Sequence, residues 1–336
     1  MTSRLSRVLA TLLLVLTAFL SACSSDSKDA TPSAKASNSS GAESETWPRT
    51  IKHEKGELTL KSKPKRIVST SVTLTGTLLA IDAPVKASAA TAPSNITDDK
   101  GFFSQWSSVA KKKGVDVLYP NLKFDKEALI AANPDLVVIA SSGADSAIDH
   151  YKEIAAQYPT IVVDYSKQTW QELSKQLGRA TGQEANAKKA SADFDKYVAD
   201  AAKKIKAPEG DAAVVSYNGP GKEQGVAKKS GPQSKLLEKL GFKIVEAPAD
   251  LEARKDKRGD FSFITHENLT KAVNPQTVFL LTGDQKTESS FLADPVVANM
   301  PAVKSKQVYG LGPTSFRIDY YSGKQMIDAV VKRFGG

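Results

Sequence analysis

The sequence predicts an α/β protein with two lobes, each containing a mainly parallel sheet, that are joined by a single long helix. Short β-branched runs alternate with helical stretches over residues 66–166 and again after residue 208, which is the pattern of parallel α/β units. Between these regions, residues 168–206 carry two consecutive helical stretches and no strand. The second stretch is about 20 residues long and would span about 30 Å, the diameter of one domain.

Local composition predicts the individual elements. Runs of β-branched and other apolar residues predict strands at 66–71, 85–90, 136–141, 160–165, 212–217, 242–246, 277–282 and 307–312. Helical patterns predict helices near 75–83, 125–133, 145–157, 232–240, 288–299 and 319–334. The resulting segments are a signal peptide (1–22), a disordered tether (23–48), an N-terminal lobe (49–166), a linking helix (167–207) and a C-terminal lobe (208–336).

An internal repeat agrees with the two lobes. EALIAANPDLVVIA, from Glu127, and ENLTKAVNPQTVFLL, from Glu267, share the order of a glutamate, a leucine, a short helix, Asn-Pro and a buried strand. Proline disfavours helical geometry in the residue before it, so Asn-Pro explains where each helix ends. The alternative is that both segments use a common way to end a helix before a strand.

The N-terminus has the features of a lipoprotein signal. A basic start, MTSRLSR, precedes a 13-residue apolar run and then LSAC, whose Cys23 is the only cysteine in the chain. We expect Cys23 to receive lipid and to anchor the protein at the extracytoplasmic face of the cell membrane; the alternative is an ordinary cleavage site. With one cysteine, the chain can form neither an internal disulfide nor a cysteine cluster for a metal. The Ser- and Ala-rich stretch that follows has no apolar periodicity and predicts the tether.

Composition and charge limit the class of ligand. The chain has 336 residues, of which 40% are hydrophobic and 25% charged, with a formal net charge of +9. Its lysines are mixed with acidic residues along helical stretches, as on a solvated helix face. An exported protein is not expected to meet nucleic acid, so the positive charge favours a small anionic ligand.

Motifs for catalysis and direct metal binding are absent from the sequence. His53, His150 and His266 are far apart and none has a spacing that offers a metal two ligands from one element. There is no GxSxG elbow, Walker loop or GxGxxG after a strand, and NGPGKEQG (218–225) predicts a mobile loop. We therefore predict no catalytic residue, no metal site, no cofactor and no enzymatic activity.

Several motifs, in order, carry a resemblance to a known family. STSVTLTGTLLAIDAPVKASAATAP, GFFSQWSSVAK, GADSAIDHY, QTWQELSKQLG, LTGDQK and SFRIDYYS resemble the ferric enterobactin-binding proteins of bacterial iron import. These are class III substrate-binding proteins of ABC transporters. The resemblance runs from about residue 48 to residue 334 and implies two α/β lobes joined by one long helix. It also implies a monomer that passes its ligand to an ABC permease and its ATPase.

The resemblance also implies the ligand and its site. The family's ligand is an iron(III) tris-catecholate siderophore bound in a shallow cleft between the lobes. Because the siderophore supplies the iron ligands and carries three negative charges, basic residues are needed instead of a metal site. Arg317 in SFRIDYYS and Arg258 in KDKRGDFSF match cleft arginines; the alternative for each is a solvated surface arginine.

Two departures from the family concern the ligand. Ala227 stands where the family has a cleft tryptophan, with Lys228 beside it. The loop SNITDDKGF lacks an arginine of the family, and either Lys100 replaces it or Lys100 is simply solvated. The siderophore class is therefore a firmer expectation than enterobactin itself.

Partner contacts and rival functions complete the predictions. Glu127 and Glu267 match glutamates that dock onto permease arginines, one on each lobe, and we expect closure of the lobes to be small. A haem receptor is the alternative binding function, with Tyr217, Tyr320 and His266 in candidate cleft segments. An enzyme that hydrolyses a siderophore ester is a third possibility, although no serine and histidine pairing is evident.

Overall fold

Two sheets form the framework of the protein in the computed structural model, which describes residues 46–255 and 258–336. The predicted signal peptide, Cys23 and the tether up to residue 45 lie outside the described residues. Trp47 packs against the N-terminal core, and the Arg49 guanidinium lies 4.2 Å from the centre of its ring. The folded part therefore begins before the predicted boundary at residue 48.

The N-terminal lobe contains a hairpin and a five-stranded parallel sheet. Its elements are β1 (Arg49–His53), β2 (Gly56–Leu60), β3 (Ile67–Ser69), α1 (Val72–Ala80), β4 (Val85–Ser88), α2 (Ser104–Lys113), β5 (Asp116–Val117), α3 (Lys126–Ala132), β6 (Leu136–Ala140), α4 (Tyr151–Ala155) and β7 (Thr160–Val163). The sheet order is β5-β4-β3-β6-β7. The strands are almost entirely buried, because helices cover both faces of a parallel sheet.

Two helices lead from the N-terminal lobe into the C-terminal lobe. α5 (Trp170–Thr181) begins with a capping box between Thr169 and Glu172, and α6 (Glu184–Ala202) follows after Gly182. Leu173 and Leu177 of α5 belong to the N-terminal core. α6 changes cores along its length, because Ala187 packs in the N-terminal core whereas its later apolar residues, Ala190, Phe194, Val198 and Ala201, pack in the C-terminal core.

The C-terminal lobe contains a six-stranded mixed sheet. Its elements are β8 (Asp211–Ser216), β9 (Gln224–Ala227), α7 (Pro232–Lys239), β10 (Lys243–Ile244), β11 (Phe261–Ile264), α8 (Leu269–Ala272), β12 (Thr277–Leu280), α9 (Gln285–Leu292), α10 (Pro301–Lys304), β13 (Val308–Gly310) and α11 (Tyr320–Phe334). The order is β11-β9-β8-β12-β13, and β10 also pairs with β8. β10 and β12 run parallel to β8, whereas β9 is antiparallel.

The fold class predicted from the alternation of strands and helices is confirmed, and the differences are local. The helix predicted at 288–299 ends at Leu292, because Asp294 caps a separate 3₁₀ turn that starts at Pro295. The loop predicted to be mobile at 218–225 is a hairpin connection whose end lies in β9. The buried Gln224 side chain bonds to the backbone of Asn218, Gly219 and Lys222 and so braces this connection.

α11 brings the two lobes together, since it packs against α6 and also against α1 and α2 of the N-terminal lobe. Segments that follow the carboxyl ends of β7 and β13 meet at its beginning. Within the described residues, no helix combines the length and the apolar character needed to cross a bilayer.

Candidate functional site

The segment that carries Arg317 is held by hydrogen bonds on both sides. After Arg317, Asp319 caps α11 by accepting from two backbone N–H groups of its first turn, and the Ser322 hydroxyl donates to the Arg317 carbonyl at 2.6 Å. Before Arg317, the buried Gln233 side chain donates to the Ser315 carbonyl at 3.0 Å. The backbone around Arg317 is therefore ordered by contacts to α7 and α11.

The Arg317 side chain reaches across to the N-terminal lobe. Its guanidinium carbon lies 4.3 Å from the centre of the Tyr165 ring, which follows β7. The Arg317 Nε is buried and has no hydrogen-bond partner among the described residues, and no described carboxylate forms an ion pair with this arginine. The charge of Arg317 is thus available to an anion between the lobes.

A second arginine lies close by but is already paired. Arg258 donates to both oxygens of Asp260, at 2.7 and 2.6 Å, and its side chain is 54% exposed. The Lys228 ammonium donates to the Arg258 carbonyl at 2.5 Å, so Lys228 and Arg258 belong to one cluster. The hydrogen bonds to Asp260 raise the pKa of Arg258. Partial burial lowers this pKa by less, and the charge of Asp260 adds to the increase.

Asp260 links the two arginines electrostatically. Burial tends to raise its pKa, but the hydrogen bonds and charge of Arg258, together with the charge of Arg317, hold the pKa below its ordinary value. Asp260 therefore stays ionised at neutral pH. The carboxylates near this cluster are Asp260 and Asp145, which binds Tyr165, and against them stand the cations Arg258, Arg317 and Lys228, which still leaves an excess of positive charge.

Tyr165 is held by the N-terminal lobe. Its hydroxyl donates to Asp145 Oδ1 at 2.9 Å, and Asp145 Oδ2 in turn accepts from the Ser71 hydroxyl and the Thr73 backbone N–H. Burial, helped by the negative charge of Asp145, raises the pKa of Tyr165 to about 12 despite the opposing charge of Arg317. The phenol remains protonated and keeps its hydrogen bond at physiological pH.

Comparison with known proteins identifies the family. Residues 67–314 match the model of a periplasmic binding protein. The chain belongs to the periplasmic binding protein family. It is 43% identical to the ferric enterobactin-binding periplasmic protein FepB of Escherichia coli O6:H1 over 291 residues, which cover 86% of this chain and 91% of that protein. It is 28% identical to the iron(3+)-hydroxamate-binding protein FhuD of Bacillus subtilis, over 90% of this chain and 89% of that protein.

A solved structure extends the comparison. The crystal structure of holo-ViuP matches with a TM-score of 0.79 and 42% sequence identity, and the match covers 87% of this chain and 96% of that one. The resemblance found in the sequence is therefore confirmed, and with it the two-lobed fold of a class III periplasmic binding protein.

Ala227, which was predicted to face the ligand of this periplasmic binding protein, does not reach the surface. Its side chain is 0% exposed in β9 and packs in the C-terminal core. Because its side chain is fully buried, Ala227 offers no surface to a ligand. Lys228, the first residue after β9, is half-buried, and its ammonium donates to the Arg258 carbonyl.

Lys100 and the haem candidates make no described contact with Arg258, Arg317 or Lys228. Lys100 is exposed, and no described carboxylate forms an ion pair with its side chain. Tyr217 donates to Asp294 at 2.7 Å, and His266 Nε2 lies 2.6 Å from the same oxygen. His266 Nδ1 accepts from the Gly221 N–H, so both ring nitrogens are occupied.

Tyr320 packs in a different core cluster from Tyr217. Its ring packs against Trp170 and Phe194, and its hydroxyl accepts from the Lys324 ammonium at 2.7 Å. It lines a cavity of about 180 Å³ formed by α1 and α6. Tyr217, His266 and Tyr320 therefore do not converge on one position where a haem iron would need them.

A larger cavity, of about 780 Å³, also lies away from the arginines, between the β1–β2 hairpin and α5. Among the described residues, no group of three His, Cys, Asp or Glu side chains is arranged to hold a metal ion.

The two glutamates of the internal repeat occupy similar places. Glu127 lies in the first turn of α3, and Glu267 lies in the 3₁₀ turn His266–Asn268 that follows β11. Both are exposed, and neither has an ion-pair partner within the described parts of the chain. Ile130, one turn after Glu127, is 41% exposed. Among the described residues it is the one large hydrophobic side chain that is exposed.

The sequence reasoning missed Tyr165, Asp145 and Asp260. Tyr165 closes the predicted strand at 160–165, and ligands of open α/β sheets lie beyond the carboxyl ends of strands, so its position was a usable signal. Asp260 lies two residues after Arg258. Asp145 had no signal of its own, since its partner Tyr165 is 20 residues away.

Proposed function

We propose that this periplasmic binding protein is the lipid-anchored substrate-binding component of an ABC importer. In this proposal it captures a ferric catecholate-type siderophore outside the cytoplasm and delivers it to a membrane permease for iron uptake. The relative with 43% identity is named for ferric enterobactin, and relatives of lower identity are named for ferric hydroxamates. All of these are ferric siderophores, and none of the names denotes an enzyme.

The unpaired guanidinium of Arg317 is the observation that supports this proposal most directly. A tris-catecholate complex of iron(III) is a trianion with aromatic rings, and an arginine both pairs with anionic oxygens and stacks on such rings. At about 4 Å and an effective dielectric near 20, one arginine contributes about 4 kcal/mol of attraction before the cost of desolvation. Arg258 and Lys228 lie in the same cluster and add positive charge.

The haem alternative has less support. Haem receptors of this kind hold the iron through a tyrosine or histidine, and the two candidates that lie together, Tyr217 and His266, are bound to Asp294. Freeing either would leave a buried carboxylate short of a partner, which is costly. The siderophore brings its own iron ligands and needs no such release.

Binding of a trianionic probe tests the proposal. We expect Arg317→Ala to weaken the affinity of the purified protein for ferric enterobactin by about 10- to 100-fold, the range for losing a charged hydrogen bond. Arg258→Ala should weaken it less, because Asp260 already neutralises part of that charge. Quenching of tryptophan fluorescence measures both effects.

Arg66→Ala is the matched control, since Arg66 is exposed before β3 and makes no described side-chain hydrogen bond. A neutral ferric tris-hydroxamate should bind with little dependence on Arg317. Wild-type affinity in the Arg258→Ala/Arg317→Ala double variant would reject the site, and a strong Soret band with haem in place of siderophore quenching would reject the ligand class.

Membrane attachment through Cys23 is a separate part of the proposal. Lipid at Cys23 would hold the folded domain near the permease on a tether of about 20 residues. In cells given an alkyne-labelled fatty acid, the wild type should become labelled and partition with membranes, whereas Cys23→Ala should be unlabelled. Equal labelling of the two proteins would show that the anchor is elsewhere.

A further inference from the structure

Tyr165 and Arg317 come from different lobes and touch through a cation–π contact. The ring follows β7 of the N-terminal sheet, and the guanidinium, 4.3 Å from its centre, precedes α11 of the C-terminal lobe. Such contacts contribute about 0.5–2 kcal/mol, with the larger values where water is excluded. The orientation of an arginine in the C-terminal lobe thus depends on a ring in the other lobe.

The Tyr165 ring is fixed from two directions. Its hydroxyl donates to Asp145, which is 7% exposed and is itself bonded to Ser71 and to the backbone of Thr73. Gly143 lies against the same hydroxyl: a Cβ at this position would be 1.6 Å from the Tyr165 oxygen. Only glycine permits this approach, and its φ of +93° also favours glycine.

Arg317 is held by stacking and not by hydrogen bonds. Its Nε is buried without a partner, and no described residue accepts a hydrogen bond from the guanidinium. Asp260, whose charge reaches Arg317, is occupied by two hydrogen bonds from Arg258. The guanidinium is therefore oriented while its donors stay unused, which is the condition for binding an anion with little reorganisation.

We propose that Tyr165 is a positioning residue for the ligand, which orients Arg317 across the lobe boundary through the face of its ring. This inference rests on the proposed function, because it names what prepares Arg317 for the siderophore. Asp145 and Gly143 support this role indirectly, because they hold the Tyr165 ring in place. The ring face orients the arginine, and the hydroxyl adds one hydrogen bond that helps to hold the ring.

Affinity for ferric enterobactin tests this arrangement. We expect Tyr165→Leu, which removes the ring face, to weaken binding about 3- to 30-fold, the range that corresponds to the cation–π contact. Tyr165→Phe keeps the ring and should stay within about threefold of wild type. In the Arg317→Ala background, Tyr165→Leu should have no further effect, because the residue that it positions is gone.

The outcomes separate this inference from the proposed function. If Arg317→Ala itself leaves the affinity unchanged, the proposed site is wrong. If Arg317→Ala weakens binding but Tyr165→Leu does not, or if the two losses are additive, the positioning role is wrong and the proposed function stands.

A measurement on the ligand-free protein covers the case in which Tyr165→Leu folds poorly. The Arg317 side-chain N–H resonance, assigned by its loss in Arg317→Lys, should be shifted by the ring current of Tyr165. Tyr165→Phe should retain this shift, and Tyr165→Met should abolish it. An unchanged resonance in Tyr165→Met would overturn the inference without reference to any ligand.

Discussion

The Gln105 side-chain nitrogen on α2 lies 3.4 Å from Asp319 Oδ2 at the start of α11, and this contact joins the two lobes. The Trp106 indole nitrogen is buried beside them without a hydrogen-bond partner in the described structure. Phe103 and Phe316 pack edge to face nearby, with ring centres 5.3 Å apart. The beginning of α11 is thus a polar and aromatic seam between the lobes, two residues from Arg317.

Replacing Asp319 by asparagine should change how stability depends on pH. Burial raises the pKa of Asp319 even though backbone hydrogen bonds from the α11 turn oppose the shift. A carboxyl whose folded pKa is raised costs stability above that pKa and loses this cost when protonated at lower pH. Asp319→Asn keeps the capping oxygen without the charge, so its stability relative to wild type should be highest at neutral pH and fall as the pH is lowered toward 4.

Urea unfolding between pH 4.5 and pH 7.5 measures this difference. Asp319→Ala serves as the comparison: it also removes the titrating carboxyl, so it should show the same dependence on pH relative to wild type. Because it removes the cap as well, it should lie about 1 kcal/mol below Asp319→Asn at all pH values. A difference between Asp319→Asn and wild type that does not vary with pH would contradict the raised pKa.

Gly76 should not tolerate a methyl group. A Cβ on this α1 residue would lie 2.8 Å from Trp106 Cδ1 and 2.9 Å from Asp319 Oδ2. Gly76→Ala would therefore push the Trp106 and Asp319 side chains away from α1. Overpacking of this kind costs about 1–3 kcal/mol. Thermal denaturation should show a clear loss of stability. Gly259→Ala should change little, because no atom of the described residues lies within 4 Å of the new Cβ. Equal midpoints for the two variants would argue against close packing at Gly76.

Gln233 supports the segment that carries Arg317. Its amide donates to the Ser315 and Phe316 carbonyls, and its side chain is 1% exposed. Gln233→Leu leaves buried carbonyls without a donor, which costs about 1–3 kcal/mol, and it should also weaken siderophore binding by loosening Arg317. Gln157→Ala removes an exposed amide elsewhere and should do neither. Loss of stability without loss of affinity would limit Gln233 to a structural role.

Part of this arrangement could be predicted from the sequence. Runs of β-branched residues predicted most strands of the two sheets, and an uninterrupted helical pattern predicted the long helix. The quoted motifs pointed to Arg317. Five strands were missed, β1, β2, β5, β9 and β11, since short strands that contain polar residues lack a clear periodicity. The match to the family's motif puts Ala227 at the cleft, but such a match does not show which way a side chain points.

The partners of Arg317 were beyond sequence reasoning for a physical reason. Tyr165 and Arg317 are 152 positions apart, and only the packing of α11 across both lobes brings them into contact. Asp260, though near Arg258 in sequence, is also influenced by the charge of Arg317, which is 57 positions away along the chain. Contacts made by tertiary packing leave no periodic signal along the chain.

Glu127 and Glu267 should be needed for transport but not for binding. Both are exposed at the start of short helical segments on different lobes, and their charges are not neutralised by a described ion pair. In the proposed importer they face basic residues of the permease, while the ligand contacts Arg317 elsewhere. Glu127→Ala and Glu267→Ala should therefore reduce uptake of ⁵⁵Fe-loaded enterobactin by cells and leave the affinity of the purified proteins unchanged. The double variant should lose more uptake than either single variant.

The matched control is Glu238→Ala, which removes an exposed glutamate of α7 and should transport normally. Ile130→Asp extends the test to the apolar surface beside Glu127, and it should lower uptake in the same way. Normal uptake by the double variant would show that the permease recognises a different face of the protein.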